Sequence, residues 1–261
     1  MRYSITLSYN GASFSGWQIQ KGAPSIQETL EKALSTLLSE EISVTGAGRT
    51  DAGVNAVGYV AHFDSERAVD AVSGADFCYK INAILPVSIR VHEILPATPE
   101  FHARFDAVSR EYTYFLHRTK DPFAEGYSLW YGYPTLDFAL MNELAQELLG
   151  THDFSCFEKT GGNNKTSICT VTEARWVQYV PTHVSVLGYP SDGYWYFRIS
   201  ANRFLRNMVR AVVGSLLDVG RGRHDAAWFR ALLASGTRSD AGESVPAHAL
   251  FLSHIDYPPQ P

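Results

Sequence analysis

Residues 46–55 read Gly46-Ala47-Gly48-Arg49-Thr50-Asp51-Ala52-Gly53-Val54-Asn55, and an apolar run of β-strand type lies on either side, at 42–45 and 56–63. The segment is too polar and too rich in glycine to be a core strand. Glycine loses more backbone freedom on folding than any other residue, so ordering this loop is costly. Such a loop usually brings backbone close to a ligand or holds one side chain at a fixed angle, and we interpret Asp51 as that side chain. Arg49 can supply a cation or a phosphate contact.

Common phosphate-binding motifs do not account for this loop. Gly46 and Gly48 fit the start of G-x-G-x-x-G, but the next required glycine falls on Asp51. The sequence has no G-x-x-x-x-G-K-[ST] motif either. Because Gly and Asp are ordinary turn formers, a purely structural turn is the alternative interpretation.

The composition is that of an ordinary globular protein, with 261 residues, 45% hydrophobic and 19% charged. This length suffices for one large or two medium domains. No apolar run is long enough to span a membrane, and the N-terminus enters an alternating strand rather than a signal peptide, so we expect no membrane partner and a cytoplasmic location. The three cysteines are far apart in sequence and no metal-binding spacing occurs, so neither a disulfide framework nor a metal site is expected.

The formal net charge of −5 counts against a nucleic-acid partner, since such proteins usually carry a basic surface. The field where the phosphates lie matters more than the total charge. Five arginines are close together in the second half of the chain, so an acidic protein with one basic cleft remains compatible with RNA. They are Arg203, Arg206, Arg210, Arg221 and Arg223.

The first part of the chain alternates strands and helices. Residues 2–9 alternate in polarity and predict a half-buried strand. Ser25 and Glu28 form a capping box before an apolar helical face. With a helix at 75–85, a strand at 89–94 and the two strands beside the Gly-rich loop, the order β-α-β-β-α-β is ferredoxin-like.

The pattern restarts after two prolines near residue 99, which predicts an N-terminal domain of 1–105 and a C-terminal domain of 106–261. In the second domain we expect a helix capped by Asp137, strands at 169–179, 183–187 and 194–200, and a helix at 202–217.

The helix predicted at 202–217 has an apolar face and a polar stripe, with the stripe residues at i, i+3, i+4 and i+7. A solvated surface is the simplest interpretation of a basic stripe. The cations here are all arginine, which makes planar, bidentate contacts with carboxylate and phosphate. The stripe consists of Arg203, Arg206, Asn207 and Arg210.

Several motifs, in the same order along the chain, resemble the tRNA pseudouridine synthase A family. The Gly-rich loop is similar to G-R-T-D-A-G-V-H-A, matching from Gly48 to Val54 and again at Ala56, and departing at Asn55, where the family usually has histidine. Residues 110–114, Arg-Glu-Tyr-Thr-Tyr, resemble R-x-Y-x-Y.

Two further segments extend the resemblance. Residues 201–210 are similar to A-N-x-F-L-R-x-M-V-R, and residues 16–20 to G-W-Q-x-Q. In the second of these we interpret Trp17 as a packed residue, because tryptophan is commonly buried. His62, within a strand run, is likewise interpreted as structural.

The resemblance implies a pseudouridine synthase fold of the α+β class: two ferredoxin-like or RRM-like subdomains, a largely antiparallel mixed sheet and a central active-site cleft. It also implies a cofactor-free enzyme that converts uridine to pseudouridine at positions 38, 39 and 40 of the tRNA anticodon stem-loop. The resemblance further implies a homodimer in which one tRNA touches both subunits.

By the same resemblance, Asp51 is the catalytic nucleophile, Tyr112 the active-site tyrosine and Arg210 the partner of Asp51. Asp51 attacks C6 of the base, attacks C1′ of the sugar or acts as a base toward the sugar; the sequence leaves these routes open. A phenol with an ordinary pKa near 10 is a poor base, so Tyr112 needs strong tuning or stacks on the target base. The expected substrate-binding residues are Arg49, Arg110, Asn202, Arg203 and Arg206.

Two other classes of function remain alternatives. One is a non-catalytic RNA-binding protein on the same scaffold, for which Asp51→Asn would preserve function. The other is a small-molecule enzyme that uses Asp51 and does not bind tRNA. Catalysis on RNA is favoured over pure binding, because a binder has no need of a carboxylate facing RNA phosphates.

Overall fold

The computed structural model describes residues 1–67, 72, 74–159, 161, 165–188 and 192–258. The chain forms two compact units: unit 1 is Met1–Ser109 with Phe251–Pro261, and unit 2 is Arg110–Leu250. The segment from Phe251 onward belongs to unit 1 by its contacts, although it is distant in sequence. The division into functional domains 1–105 and 106–261 stays a prediction.

Unit 1 has the predicted ferredoxin-like order, followed much later in the chain by one more strand. Its elements are β1 (Arg2–Tyr9), α1 (Ile26–Leu38), β2 (Val44–Gly46), β3 (Asn55–Asp64), α2 (Ala75–Ile84), β4 (Ile89–Ala97) and β10 (Leu250–Asp256).

The sheet of unit 1 is centred on β1 and β3. β1 pairs antiparallel with β3 on one side and with β4 on the other. β2 and β10 share the remaining edge of β3: β2 pairs antiparallel opposite 61–63, whereas β10 pairs parallel opposite Asn55 and Ala56. The C-terminal strand therefore lies beside the point where the Gly-rich loop re-enters the sheet.

The core of unit 1 follows from the patterns seen in the sequence. The odd-numbered residues of β1 are buried and the even-numbered ones are not. Ser25 caps α1, since its side chain accepts from the backbone N–H of Glu28 at 3.2 Å. The Glu28 carboxylate accepts from Lys32 Nζ at 2.7 Å. The buried face of α1 comprises Ile26, Leu30, Ala33, Leu34 and Leu38.

Unit 2 contains further paired strands together with helices. Its elements are β5 (Ser109–His117), β6 (Leu129–Trp130), α3 (Phe138–Gln146), β7 (Gly150–Asp153), β8 (Ile168–Gln178), α4 (Thr182–Leu187), β9 (Tyr194–Ala201), α5 (Met208–Gly220) and α6 (Ala226–Ser235), with short 3-10 turns at Ser155–Phe157 and Ala247–Ala249.

The strands β5, β9, β8 and β7 are neighbours in that order and antiparallel, and β6 adds a short parallel pairing to the end of β5. Helix α3 is capped by Asp137 as predicted and packs on β8. Helix α5 packs on α3 and α6, and every residue from Ala211 to Gly220 is buried. The α+β class and the largely antiparallel sheet expected from the sequence are confirmed.

Two predicted elements are wrong. The helix expected at 202–217 begins only at Met208, because Asn207 adopts the left-handed conformation (φ 65°) that an α-helix excludes. Arg203 and Arg206 therefore precede the helix, and the stripe is not one helical face. Residues 183–187, expected as a strand, lie in helix α4, which begins after Pro181 and ends at Gly188 in the left-handed region.

None of the helices in the described ranges combines the length and the apolar character required to cross a membrane.

Candidate active site

Asp51 lies in a tight turn of unit 1, in the loop of residues 46–55 (the Asp51 loop). The backbone N–H of Val54 donates to the carbonyl of Asp51 at 3.1 Å, and Gly53 has φ 79°, which favours glycine. Along the loop, Arg49 is exposed, Thr50 is buried and Asp51 is half-buried. The loop thus anchors itself through Thr50 and leaves the carboxylate of Asp51 near the surface.

Three aromatic rings support the Asp51 loop. Trp17 stacks on Tyr59 with ring centroids 4.2 Å apart, and Tyr9 packs edge-on against Tyr59 at 5.6 Å. The Tyr9 hydroxyl shares a buried hydrogen bond of 2.8 Å with Thr50 Oγ1. The Tyr59 hydroxyl donates to the carbonyl of Gly48 and accepts from its N–H. The interpretation of Trp17 as a packed residue is confirmed.

The loop between β1 and α1 holds the Asp51 loop from the other side through close backbone contacts. Trp17 N–H donates to the Thr50 carbonyl at 3.2 Å. Gly16 has φ 96°, and a Cβ there would lie 2.3 Å from the Thr50 carbonyl oxygen. A Cβ at Gly11 would lie 2.1 Å from the Val54 carbonyl oxygen. Only glycine permits these approaches, which explains why residues 11 and 16 of this loop are both glycine.

Asn55, the position that departs from the family motif, is a structural residue at the end of the loop. Its side chain is 2% exposed, and its Oδ1 accepts a hydrogen bond of 2.9 Å from the backbone N–H of Gly11. This contact fastens the two loops to each other, since a buried N–H needs an acceptor.

The two tyrosines of β5 in unit 2 are two positions apart, so they lie on the same side of the strand, but their environments differ. Tyr114 is fully buried, and its hydroxyl donates to the Pro246 carbonyl at 3.1 Å. Burial raises the pKa of Tyr114 well above its usual range, so this phenol stays protonated. Tyr112 is half-buried and packs edge-on against Phe204, with ring centroids 5.0 Å apart. Of the two rings, Tyr112 is the one with surface left to meet a ligand.

Arg210 is held in place by a segment that runs along α5. Its Nε donates to the Val245 carbonyl at 2.7 Å, and its own carbonyl accepts from the Val245 N–H at 3.2 Å. One turn further, the Gly242 N–H donates to Ser215 Oγ at 2.9 Å. These bonds fix the segment 242–245 against the helix and thereby orient the half-buried guanidinium.

The expected substrate-binding residues of unit 2 surround the end of β9. Arg110 donates to the Asn202 carbonyl at 2.9 Å, and Asn202 Oδ1 accepts from the Thr170 N–H at 2.9 Å. The Asn202 side chain therefore links the residue that follows β9 to strand β8, and it is also exposed. Arg203 is half-buried and Arg206 is exposed.

The structure groups the predicted site residues by unit. Asp51 and Arg49 lie in unit 1, and the remaining six lie in unit 2. The sequence did not reveal the supporting roles of Thr50, Tyr9 and Tyr59. The only available signal was that both tyrosines fall at inward-facing strand positions next to the loop.

Comparison with known proteins shows that the sequence is similar to those of tRNA pseudouridine synthases. The family model described as tRNA pseudouridine synthase matches residues 144–258. The chain is 46% identical over 257 residues to tRNA pseudouridine synthase A of Porphyromonas gingivalis, covering 98% of this chain and 97% of that protein. It is 45% identical to the protein of the same name from Bacteroides thetaiotaomicron, covering 98% and 91% of the two chains.

A more distant relative covers the same length. The chain is 38% identical to tRNA pseudouridine synthase A of Bacillus licheniformis, over 98% of this chain and 99% of that one. The chain belongs to the tRNA pseudouridine synthase A family, and is thus an isomerase that acts on uridine in tRNA.

Proposed function

We propose that this enzyme converts uridine to pseudouridine at positions 38, 39 and 40 of the tRNA anticodon stem-loop, without a cofactor, as a cytoplasmic homodimer. The reaction breaks the N1–C1′ bond, rotates the uracil and joins C5 to C1′; the proton lost from C5 is balanced by the one gained at N1. Because no electrons are gained or lost overall, side chains alone suffice. A target base in a stem must first leave its stack.

Asp51 is the proposed nucleophile. A carboxylate that forms a transient covalent bond has to be held at a fixed angle to the reacting carbon. The Asp51 loop supplies this, because the buried Thr50 on one side and the turn through Gly53 on the other restrict its backbone. This rigid presentation of a half-buried carboxylate is the observation that carries the proposal.

The residues of unit 2 take the remaining roles. Tyr112 stacks on the target uracil or acts as general base, and its ring edge against Phe204 restrains its rotation. Arg210, oriented by Val245, pairs with the Asp51 carboxylate and holds its rotamer. Arg49 holds a phosphate near the target or helps extrude the nucleotide, with Arg110, Asn202, Arg203 and Arg206 on the RNA backbone.

Asp51→Ala tests the nucleophile. We expect no pseudouridine in an unmodified tRNA transcript, whereas tRNA affinity and thermal stability stay close to the wild-type values, because the side chain is not part of the core. Glu41→Ala removes an exposed carboxylate of the same unit and should leave activity unchanged. Pseudouridine at positions 38–40 in the Asp51→Ala product would refute the role of Asp51. Modification confined to other positions by the wild-type enzyme would refute the target assignment.

Arg210→Ala tests the ion pair. Loss of the guanidinium leaves Asp51 without its orienting partner, and a displaced reacting group lowers the rate by roughly 100-fold. The single-turnover rate at saturating tRNA should fall, with tRNA affinity changed far less. An unchanged rate would contradict the proposed pairing.

A further inference from the structure

Residues 102–105 of unit 1 form a turn that presents one aromatic ring to solvent. The Phe105 side chain is 74% exposed. It packs on the His102 ring, with centroids 4.2 Å apart and planes inclined at 33°. The His102 ring in turn packs edge-on against His62, at 4.9 Å, and His62 is buried in β3. The exposed ring therefore stands on a column of rings that reaches the core.

Hydrogen bonds make the turn rigid. The backbone N–H groups of Arg104 and Phe105 both point at His102 Nδ1, at 3.2 and 3.3 Å. The His102 N–H donates to Asp106 Oδ2 at 2.8 Å, and the Asp106 N–H donates back to the His102 carbonyl at 3.0 Å. An exposed phenylalanine in a mobile loop would lose conformational freedom on binding a ligand; this one is already ordered.

The base of the column is also fixed. The Ala103 N–H donates to His62 Nδ1 at 3.1 Å, and the Tyr257 hydroxyl donates to the Ala103 carbonyl. Burial lowers the pKa of His62 to about 4, so its ring is neutral at physiological pH and Nδ1 can accept. The interpretation of His62 as structural is confirmed by this contact.

We propose that Phe105 is a stacking platform for an unpaired base of the tRNA substrate, with the Arg104 guanidinium beside it on the RNA. This inference rests on the proposed function. A base stacks on an aromatic ring whatever its identity, and proteins that grip unpaired nucleotides combine such rings with cations. Arg104 Cζ lies 5.8 Å from the centroid of the Phe105 ring.

A second protein chain is the less fitting occupant. A stable protein interface buries roughly 800 Å² on each side around an apolar centre. Between residues 98 and 112, the exposed large hydrophobic residues are Phe105 and Val108, and the cation of Arg104 adjoins the Phe105 ring. One ring beside one cation suits a flat, anionic nucleotide.

The test compares three variants at Phe105 and one control variant by fluorescence-detected tRNA binding and by single-turnover pseudouridine formation at saturating tRNA. Phe105→Ala should weaken tRNA binding about tenfold, in the range seen when one stacking ring is removed, without lowering the single-turnover rate. Phe105→Tyr keeps a ring and should bind like the wild type, whereas Phe105→Leu keeps only an apolar side chain and should resemble Phe105→Ala. Phe123→Ala is the matched control, because Phe123 is 72% exposed in unit 2.

Wild-type affinity in Phe105→Ala, or equal losses in the Tyr and Leu variants, would overturn the inference. A change of sedimentation coefficient in Phe105→Ala without RNA would also overturn it, in favour of a contact between protein chains. These outcomes are separate from the proposed function, which the wild-type enzyme's pseudouridine at positions 38–40 decides on the same transcript.

Discussion

Asn55 explains how a departure from the family motif is accommodated. The resemblance predicts histidine at this position, next to the segment that carries the proposed nucleophile. Here the amide takes a mechanical role, since its oxygen is the acceptor for the buried N–H of Gly11. Gly11 cannot carry a side chain because of its contact with the Val54 carbonyl. The geometry of the Asp51 loop therefore depends on residue 55 through one hydrogen bond.

Asn55→Leu should destabilise the protein by about 1–3 kcal/mol, the cost of leaving a buried donor without its partner. Urea unfolding measures this, and activity should fall as well because the Asp51 loop loosens. Asn55→His restores a possible acceptor and should recover part of the loss. Val57→Ala, at an exposed position of the same strand, is the control. Equal stability of the Leu and His variants would show that the hydrogen bond is unimportant.

At the scale of single residues, the sequence predicts the candidate reactive side chains better than the buried residues that hold them in place. Asp51 and Arg49 are recognisable because their residue types are unusual between two strands. The hydroxyl of Thr50 is not, since nothing in the sequence shows that it meets Tyr9, 41 residues away. Sequence patterns report on neighbours along the chain, whereas these contacts depend on how the strands are placed in three dimensions.

Helix α5 shows how an element positions the side chain of Arg210, the proposed partner of Asp51. It is buried on nearly all sides, and the segment 242–245 lies directly against it. At Gly214 the approach is so close that a Cβ would lie 1.8 Å from the Glu243 carbonyl oxygen. The same segment supplies the Val245 carbonyl that holds Arg210, so the glycine indirectly sets the position of the arginine.

Gly214→Ala should reduce both stability and activity. In an exposed helix this substitution stabilises by roughly 1 kcal/mol, but here the new methyl group meets backbone that cannot move aside, and we expect a net loss of about 1–3 kcal/mol. Gly220→Ala is the control in the same helix, because its Cβ would chiefly meet the flexible side chain of Met141. Thermal unfolding and single-turnover rates of both variants decide the matter. A Gly220→Ala variant as impaired as Gly214→Ala would contradict this explanation.

Prediction of the elements fails where tertiary packing overrides local pattern. The apolar spacing across 205–216 is real, but the loop before Met208 buries Leu205 without being helical. The five residues that define this spacing are all buried: Leu205, Met208, Val209, Val212 and Leu216. The polarity of residues 183–187 alternates weakly, which fits a short strand. They form α4 instead, because Pro181 and Gly188 delimit one short helix. The capped helices α1 and α3 are predicted correctly because their start signals are local.

At the scale of the whole molecule, the strand order cannot be read along the chain. Strand β10 follows every element of unit 2 yet pairs in parallel with β3, opposite Asn55 and Ala56. It also accepts from the Val108 N–H through the Asp256 carbonyl. Pairing between residues nearly 200 positions apart leaves no periodic signal, and it makes the Asp51 loop depend on the last strand of the fold.

Truncation after Leu250 tests this dependence. The shortened chain loses Leu252 and Ile255, which are 2% and 6% exposed, so unit 1 should lose at least about 3 kcal/mol of stability. Hydrogen exchange at residues 53–58 should become fast because the edge of β3 is uncovered, and pseudouridine formation should fall in parallel. A chain ending at Pro258 keeps β10 and serves as the control. Slow exchange at residues 53–58 in both chains would mean that β3 and the Asp51 loop are held by unit 1 without its C-terminal strand.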